Sequence, residues 1–171
     1  MVLYAPRRFG KTSLVFQSIE ELEKLGFICV YFDCMPIFSP ESFVRLYAKA
    51  LAAKQSNLQK FAQTVSSLIK AVRLELSFGQ DGMPEFSLDF AGEKVDETTI
   101  SQLLDLTEKI AGTNQRVIVF LDEFQEVEKL SNINFEALLR SKMQQQTSPL
   151  IQEKRYTSFF LRQIFRIISN Y

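Results

Sequence analysis

Ala5-Pro6-Arg7-Arg8-Phe9-Gly10-Lys11-Thr12 follows the short apolar run Val2-Leu3-Tyr4 and precedes a helical pattern. The fixed positions of a phosphate-binding loop, G-x-x-x-x-G-K-[ST], are all met except the first, where Ala5 stands for Gly. The spacing has a chemical reason. A short curled loop turns successive backbone N–H groups toward phosphate oxygens, and Gly10 permits close backbone approach. Lys11 would meet the β- and γ-phosphates and the Thr12 hydroxyl would bind Mg²⁺. The helix opening there adds its positive end. Ala5, Pro6, Arg7, Arg8, Phe9, Gly10, Lys11, Thr12 and Ser13 are therefore the candidate nucleotide-binding residues. A chance match to a basic turn is the bland alternative.

Arg116-Val117-Ile118-Val119-Phe120-Leu121-Asp122-Glu123 is an apolar, β-branched run ending in two acids. It reads as a buried parallel strand. Open α/β sheets bind ligands at the carboxyl ends of their strands. As a Walker B segment, Asp122 would hold the Mg²⁺ shell through water, and Glu123 would orient and deprotonate an attacking water. Alternatively, Asp122 caps a helix beginning at Phe124.

Tyr4-Ala5-Pro6-Arg7-Arg8-Phe9-Gly10-Lys11-Thr12-Ser13-Leu14, with Phe120-Leu121-Asp122-Glu123-Phe124-Gln125, resembles the archaeal-type P-loop ATPases of the AAA+/STAND class. The doubled Arg and the Asp-Glu-Phe-Gln ending are the specific marks. Leu139 to Gln146 looks like the helix that follows in that family, so the resemblance spans about residues 2 to 146. It implies an ATP-binding, Mg²⁺-dependent switch or motor module, with Lys11 on phosphates, Thr12 and Asp122 on Mg²⁺ and Glu123 on water. Such modules usually carry further C-terminal domains. Three departures stand out: Ala5 for Gly, no upstream segment to pack on adenine, and no recognisable fourth strand after Gln146. The core then reads as truncated at both ends. A slow ATPase dependent on assembly, or a non-hydrolysing nucleotide-binding remnant or interaction module, are the two functional readings. No Asn-Lys-x-Asp motif supports a guanine nucleotide, and the acid pair suits water activation better than a kinase acceptor site.

The elements that must position these groups follow from periodicity. Leu14, Val15, Ser18, Ile19, Leu22 and Leu25 recur at helical spacing up to Gly26. Phe27 to Asp33 reads as a second buried strand, with Asp33 at its end in a cap or turn role; an acid meeting substrate or metal is the alternative. Ser39-Pro40-Glu41-Ser42 starts a helix, and another is expected over Leu58 to Val72. Leu74–Phe78 and Phe86–Phe90 alternate around an Asp-Gly turn, so a β-hairpin is expected at about 73–91. A helix from Thr98 to near Gly112 feeds the second motif, and a short acidic helix and one from Phe135 follow it. The fold class is α/β: a P-loop NTPase three-layer sandwich with a mostly parallel sheet and an inserted hairpin. The phosphate loop's strand is expected beside the second-motif strand.

Residues 1–146 are read as the ATPase core and 147–171 as an atypical tail, native or a truncation or frame-shift product. A tail helix is expected over Ser158 to Ser169, packing in a core or interface; a basic membrane-surface helix is the alternative. The 171 residues suffice for one domain, and 20 basic against 20 acidic side chains give no electrostatic case for nucleic acid. A protein partner or self-association stays open. No membrane span or leader is visible, which points to a cytoplasmic protein with Cys29 and Cys34 reduced. The absence of His excludes His-based triads and metal sites.

Overall fold

The computed structural model describes residues 11–69, 72–78, 84–90, 94–110, 116–128, 130, 133–147 and 157–161. The elements are α1 (Lys11–Lys24), β1 (Ile28–Asp33), α2 (Pro40–Ala52), α3 (Leu58–Leu68), β2 (Arg73–Phe78), β3 (Pro84–Asp89), α4 (Glu97–Ile110), β4 (Val117–Asp122), α5 (Gln125–Glu128), α6 (Phe135–Thr147) and β5 (Thr157–Leu161). The α/β class expected from the sequence is observed.

β4 lies between β1 and β5, parallel to both. All six of its residues are buried, as a parallel strand covered on both faces requires. The parallel register pairs Cys29 with Ile118, Val30 with Val119 and Asp33 with Asp122. Alternation then sorts the side chains. Cys29, Ile118 and Phe120 pack with Val15 and Ile19 of α1. Val30, Phe32, Val117, Val119 and Leu121 face the other way, into a core built with α2, α3 and α4. Helices on both faces of the sheet make three layers.

Local chemistry sets the helix ends. Ser39 caps α2 through a reciprocal capping box with Ser42. Asp96 Oδ1 accepts from the Thr99 backbone N–H at 2.7 Å and from its hydroxyl, opening α4. Gly26, at φ 85°, turns the chain from α1 into β1. β2 and β3 form the expected antiparallel hairpin between α3 and α4, with Leu88 and Phe90 buried in the larger core.

Two expectations are corrected. α3 stops at Leu68, not Val72, because Ile69 leaves helical dihedrals at φ −112°, ψ 89°. Ile69 and Val72 are then buried outside any helix, where β-branched side chains lose nothing to helical crowding. The helix expected from Ser158 is instead strand β5 over its first residues; a short apolar run does not tell strand from helix, and the edge of β4 supplies the pairing. Thr157–Leu161 thus provides a parallel strand after Gln146, where none was recognisable. β4 has β1 on one edge and β5 on the other. The expected strand Val2–Tyr4, and the tail beyond Leu161, lie outside the described residues.

Candidate functional site

Strand alternation places Asp122 on the α1 face of the sheet, at the carboxyl end of β4. α1 runs into the start of β1 through a tight turn, Phe27 N–H donating to Leu22 C=O at 3.1 Å. The helix therefore lies antiparallel to the strands, and its N-terminus is at their carboxyl ends. The positive end of α1 and the Asp122 carboxylate share one face and one end of the sheet. A side-chain relay joins them. The Phe16 ring of α1 lies 4.9 Å from the Tyr31 ring of β1, and the Tyr31 hydroxyl donates to Asp122 Oδ2 at 2.7 Å.

Asp122 is only 6 % exposed. A buried carboxylate is costly unless hydrogen-bonded. Tyr31 supplies Oδ2, and the Glu123 backbone N–H donates to Oδ1 at 2.9 Å. Its backbone carbonyl accepts from Cys34 N–H at 2.9 Å. Asp33, its register partner, is exposed and accepts from Met35 N–H at 2.9 Å, the turn role expected of it. Asp122 Oδ1 takes the backbone N–H of the very next residue, Glu123.

Glu123 is the one non-glycine residue with positive φ among the described residues, at 51°. A non-glycine side chain in that region costs about 1–2 kcal/mol. Its carboxylate is half-buried, and Gln125 Nε2 donates to Glu123 Oε2. Cys34 is fully buried nearby. Burial, then the charges of Asp33, Asp122 and Glu123, push its thiol well above the ordinary range, which disfavours the reactive thiolate.

The donor set fits a hard divalent cation. Asp122 is an oxygen-only ligand at the carboxyl end of a parallel strand, held in place by Tyr31 and the Glu123 backbone N–H. Oxygen ligands suit Mg²⁺, which keeps much of its water shell. Lys11 and Thr12 are the first two residues of α1, a helix of 14 residues, and Ser13 is exposed in the same turn. Ala5, Pro6, Arg7, Arg8, Phe9 and Gly10 lie outside the described residues. An acidic concavity lined by Glu97, Glu128, Asn134 and Glu136 contains neither Asp122 nor Glu123. Burial and Glu136 raise the Glu128 pKa there.

Tyr31 and Gln125 escaped the sequence reading as site residues. Tyr31 is 91 positions from Asp122, so no spacing reveals the bond. Gln125 was visible only as part of a motif, without a role.

The architecture is a parallel α/β sheet with a buried aspartate and a helix N-terminus at one end of one face. Residues 1–161 match the ATPase domain family found predominantly in Archaea, and the chain belongs to that family. The match runs past Gln146, where the recognisable resemblance stopped, and takes in β5. No curated protein matches the chain. Among solved structures, the chain is similar to the Aeropyrum pernix ORC2 protein in ADPNP and ADP complexes. The identity is 16 % and the TM-score 0.41, over 96 % of this chain and 34 % of that one. The chain thus spans about a third of that protein's length.

Proposed function

We propose that this chain is the Mg²⁺-dependent ATP-hydrolysing core of a switch or motor module of the AAA+/STAND type, acting in the cytoplasm. The supporting observation is the shared position of Asp122 and the α1 N-terminus, on one face and at one end of the sheet. Two buried free thiols, Cys29 and Cys34, suit a reducing compartment.

Bound Mg–ATP supplies the electrophilic γ-phosphorus and most of the charge that activates it. The chain's own residues do the rest. The non-proline residues of the Ala5–Gly10 segment would offer backbone N–H groups to the phosphates, Lys11 would neutralise their charge, and Ser13 belongs to the same candidate set. Thr12 and Asp122 would hold the Mg²⁺. Glu123 orients a water and takes its proton on the carboxylate. Arg7 and Arg8 have no catalytic role in this scheme.

Binding of a fluorescent ATP analogue with Mg²⁺ tests the site. Lys11→Ala is expected to weaken it at least about ten-fold, since a charge-assisted contact is lost. Glu123→Gln is expected to keep binding and lose about 10²- to 10⁴-fold in phosphate release, the span of general-base catalysis. Equal turnover by Glu123→Gln rejects the assigned base. Binding by the native chain with no phosphate release instead identifies a non-hydrolysing nucleotide-binding module.

A further inference from the structure

We infer that Gln125 is a positioning residue for Glu123, its amide gripping one carboxylate oxygen so that the other is presented to a water. The inference rests on the hydrolytic reading above. Gln125 is the first residue of α5, two positions after Glu123. A carboxylate offers only acceptors, so the bond fixes which end of the amide faces it: Nε2 donates to Oε2. Glu123 Oε1 takes no hydrogen bond among the described residues.

Three features act together. The positive φ of Glu123 fixes where its Cβ starts. The α5 turn, closed by Glu126 N–H donating to the Glu123 carbonyl at 3.0 Å, fixes where Gln125 stands. The amide then selects one carboxylate orientation from several rotamers. A base held this way loses little freedom when it engages a water, which is how pre-organisation raises a rate.

The other end of the amide argues against a packing role. Gln125 Oε1 is buried and has no hydrogen-bond partner among the described residues. An orphan buried acceptor costs stability, and an apolar side chain of the same length would avoid that cost. What the glutamine has in exchange is the grip on Glu123.

Gln125→Met keeps the length and removes both amide groups. In a protein that hydrolyses ATP, it is expected to lower kcat at least about ten-fold, with KM and thermal midpoint unchanged or the midpoint raised. In the Glu123→Gln background the same change is expected to do nothing further, since it acts through the missing carboxylate. In nucleotide-free protein, the Gln125 side-chain amide resonance is expected to shift on Glu123→Ala. An unmoved resonance, a kcat within two-fold of the parent, or an equal loss in both backgrounds would each overturn the positioning role. A parent chain without turnover overturns the hydrolytic reading itself, whereas a working parent beside an unimpaired Gln125→Met overturns this inference alone.

Discussion

The two faces of the sheet are built on different scales. Among the described residues, the face under α1 has an apolar cluster of five buried residues, Val15, Ile19, Cys29, Ile118 and Phe120. The opposite face joins α2, α3, α4, the hairpin and the segment around Phe135 into one large core, with Tyr47, Leu51, Leu103 and Leu106 fully buried. The candidate site lies on the thin face. Its aspartate is carried by a strand anchored from behind, while among the described residues the helix that opens with Lys11 and Thr12 packs on the sheet chiefly through Val15 and Ile19. Rigidity is therefore supplied from one side and access from the other. Local openings belong to regions of low contact density, so α1 is the element expected to move first.

Core truncation is the strongest way to break that contrast. Leu103→Ala is expected to cost about 2–5 kcal/mol in denaturant unfolding, the range for deleting a well-packed leucine. Ile19→Ala, at the rim of the thin cluster with 9 % exposure, is expected at or below about 2 kcal/mol. Its larger effect should be a faster amide exchange confined to α1. Equal unfolding losses, or exchange that rises throughout the sheet, would mean that the two faces form one cooperative unit.

The aspartates aligned at the strand ends sharpen the contrast on one face. Asp33 and Asp122 are register partners, yet one is exposed in a turn and the other is buried against Tyr31. Tyr31→Phe removes a donor from a buried charge, and hydrogen bonds to charged groups are worth about 1.5–3 kcal/mol. It is also expected to weaken Mg²⁺-dependent nucleotide binding, because Asp122 gains freedom. Asp33→Asn keeps an acceptor for Met35 N–H and is expected to stay within about 0.5 kcal/mol of the parent. Losses of similar size at both positions would remove any special status from Asp122.

What the sequence showed, and what it hid, follows the range of the interactions. The 3.6-residue recurrence from Leu14 to Leu25, the Ser39-Pro40 start and the apolar run into Asp122 are local signals, and each gave its element within a residue or two. Strand β5 depends on an edge of β4 provided some forty residues earlier, and nothing in Thr157–Leu161 itself announces it. The order of the strands was hidden for the same reason. Asp122 and Glu123 were legible because their chemistry is written in adjacent letters. Tyr31 became a partner only when parallel pairing brought the β1 face beside it. Gln125 stood in plain view, but its role depends on the positive φ of Glu123, which a glutamate does not advertise.

Thiol titration gives the smallest test of the two faces. Cys29 lies on the thin face and Cys34 at the edge of the thick one. Burial pushes the Cys29 thiol up to about 11, with Glu23 adding to the rise and Lys54 opposing it. Burial pushes Cys34 higher still, with the site acids adding to it. The sign is the same for both. Above the ordinary thiol value of about 8.5, the unfolded chain releases a proton that the folded chain keeps. The unfolded state then binds fewer protons, and stability falls as pH rises. For Cys29 the stability is fully present below the unfolded pKa and is lost as pH climbs to about 11. Denaturant midpoints at pH 8 and pH 10.5 should therefore diverge less in Cys29→Ala than in the parent, whatever packing the substitution costs at both pH values. Parallel alkaline losses in the two proteins would show that water already reaches Cys29 through the α1 face, and that the thin cluster does not seal the sheet.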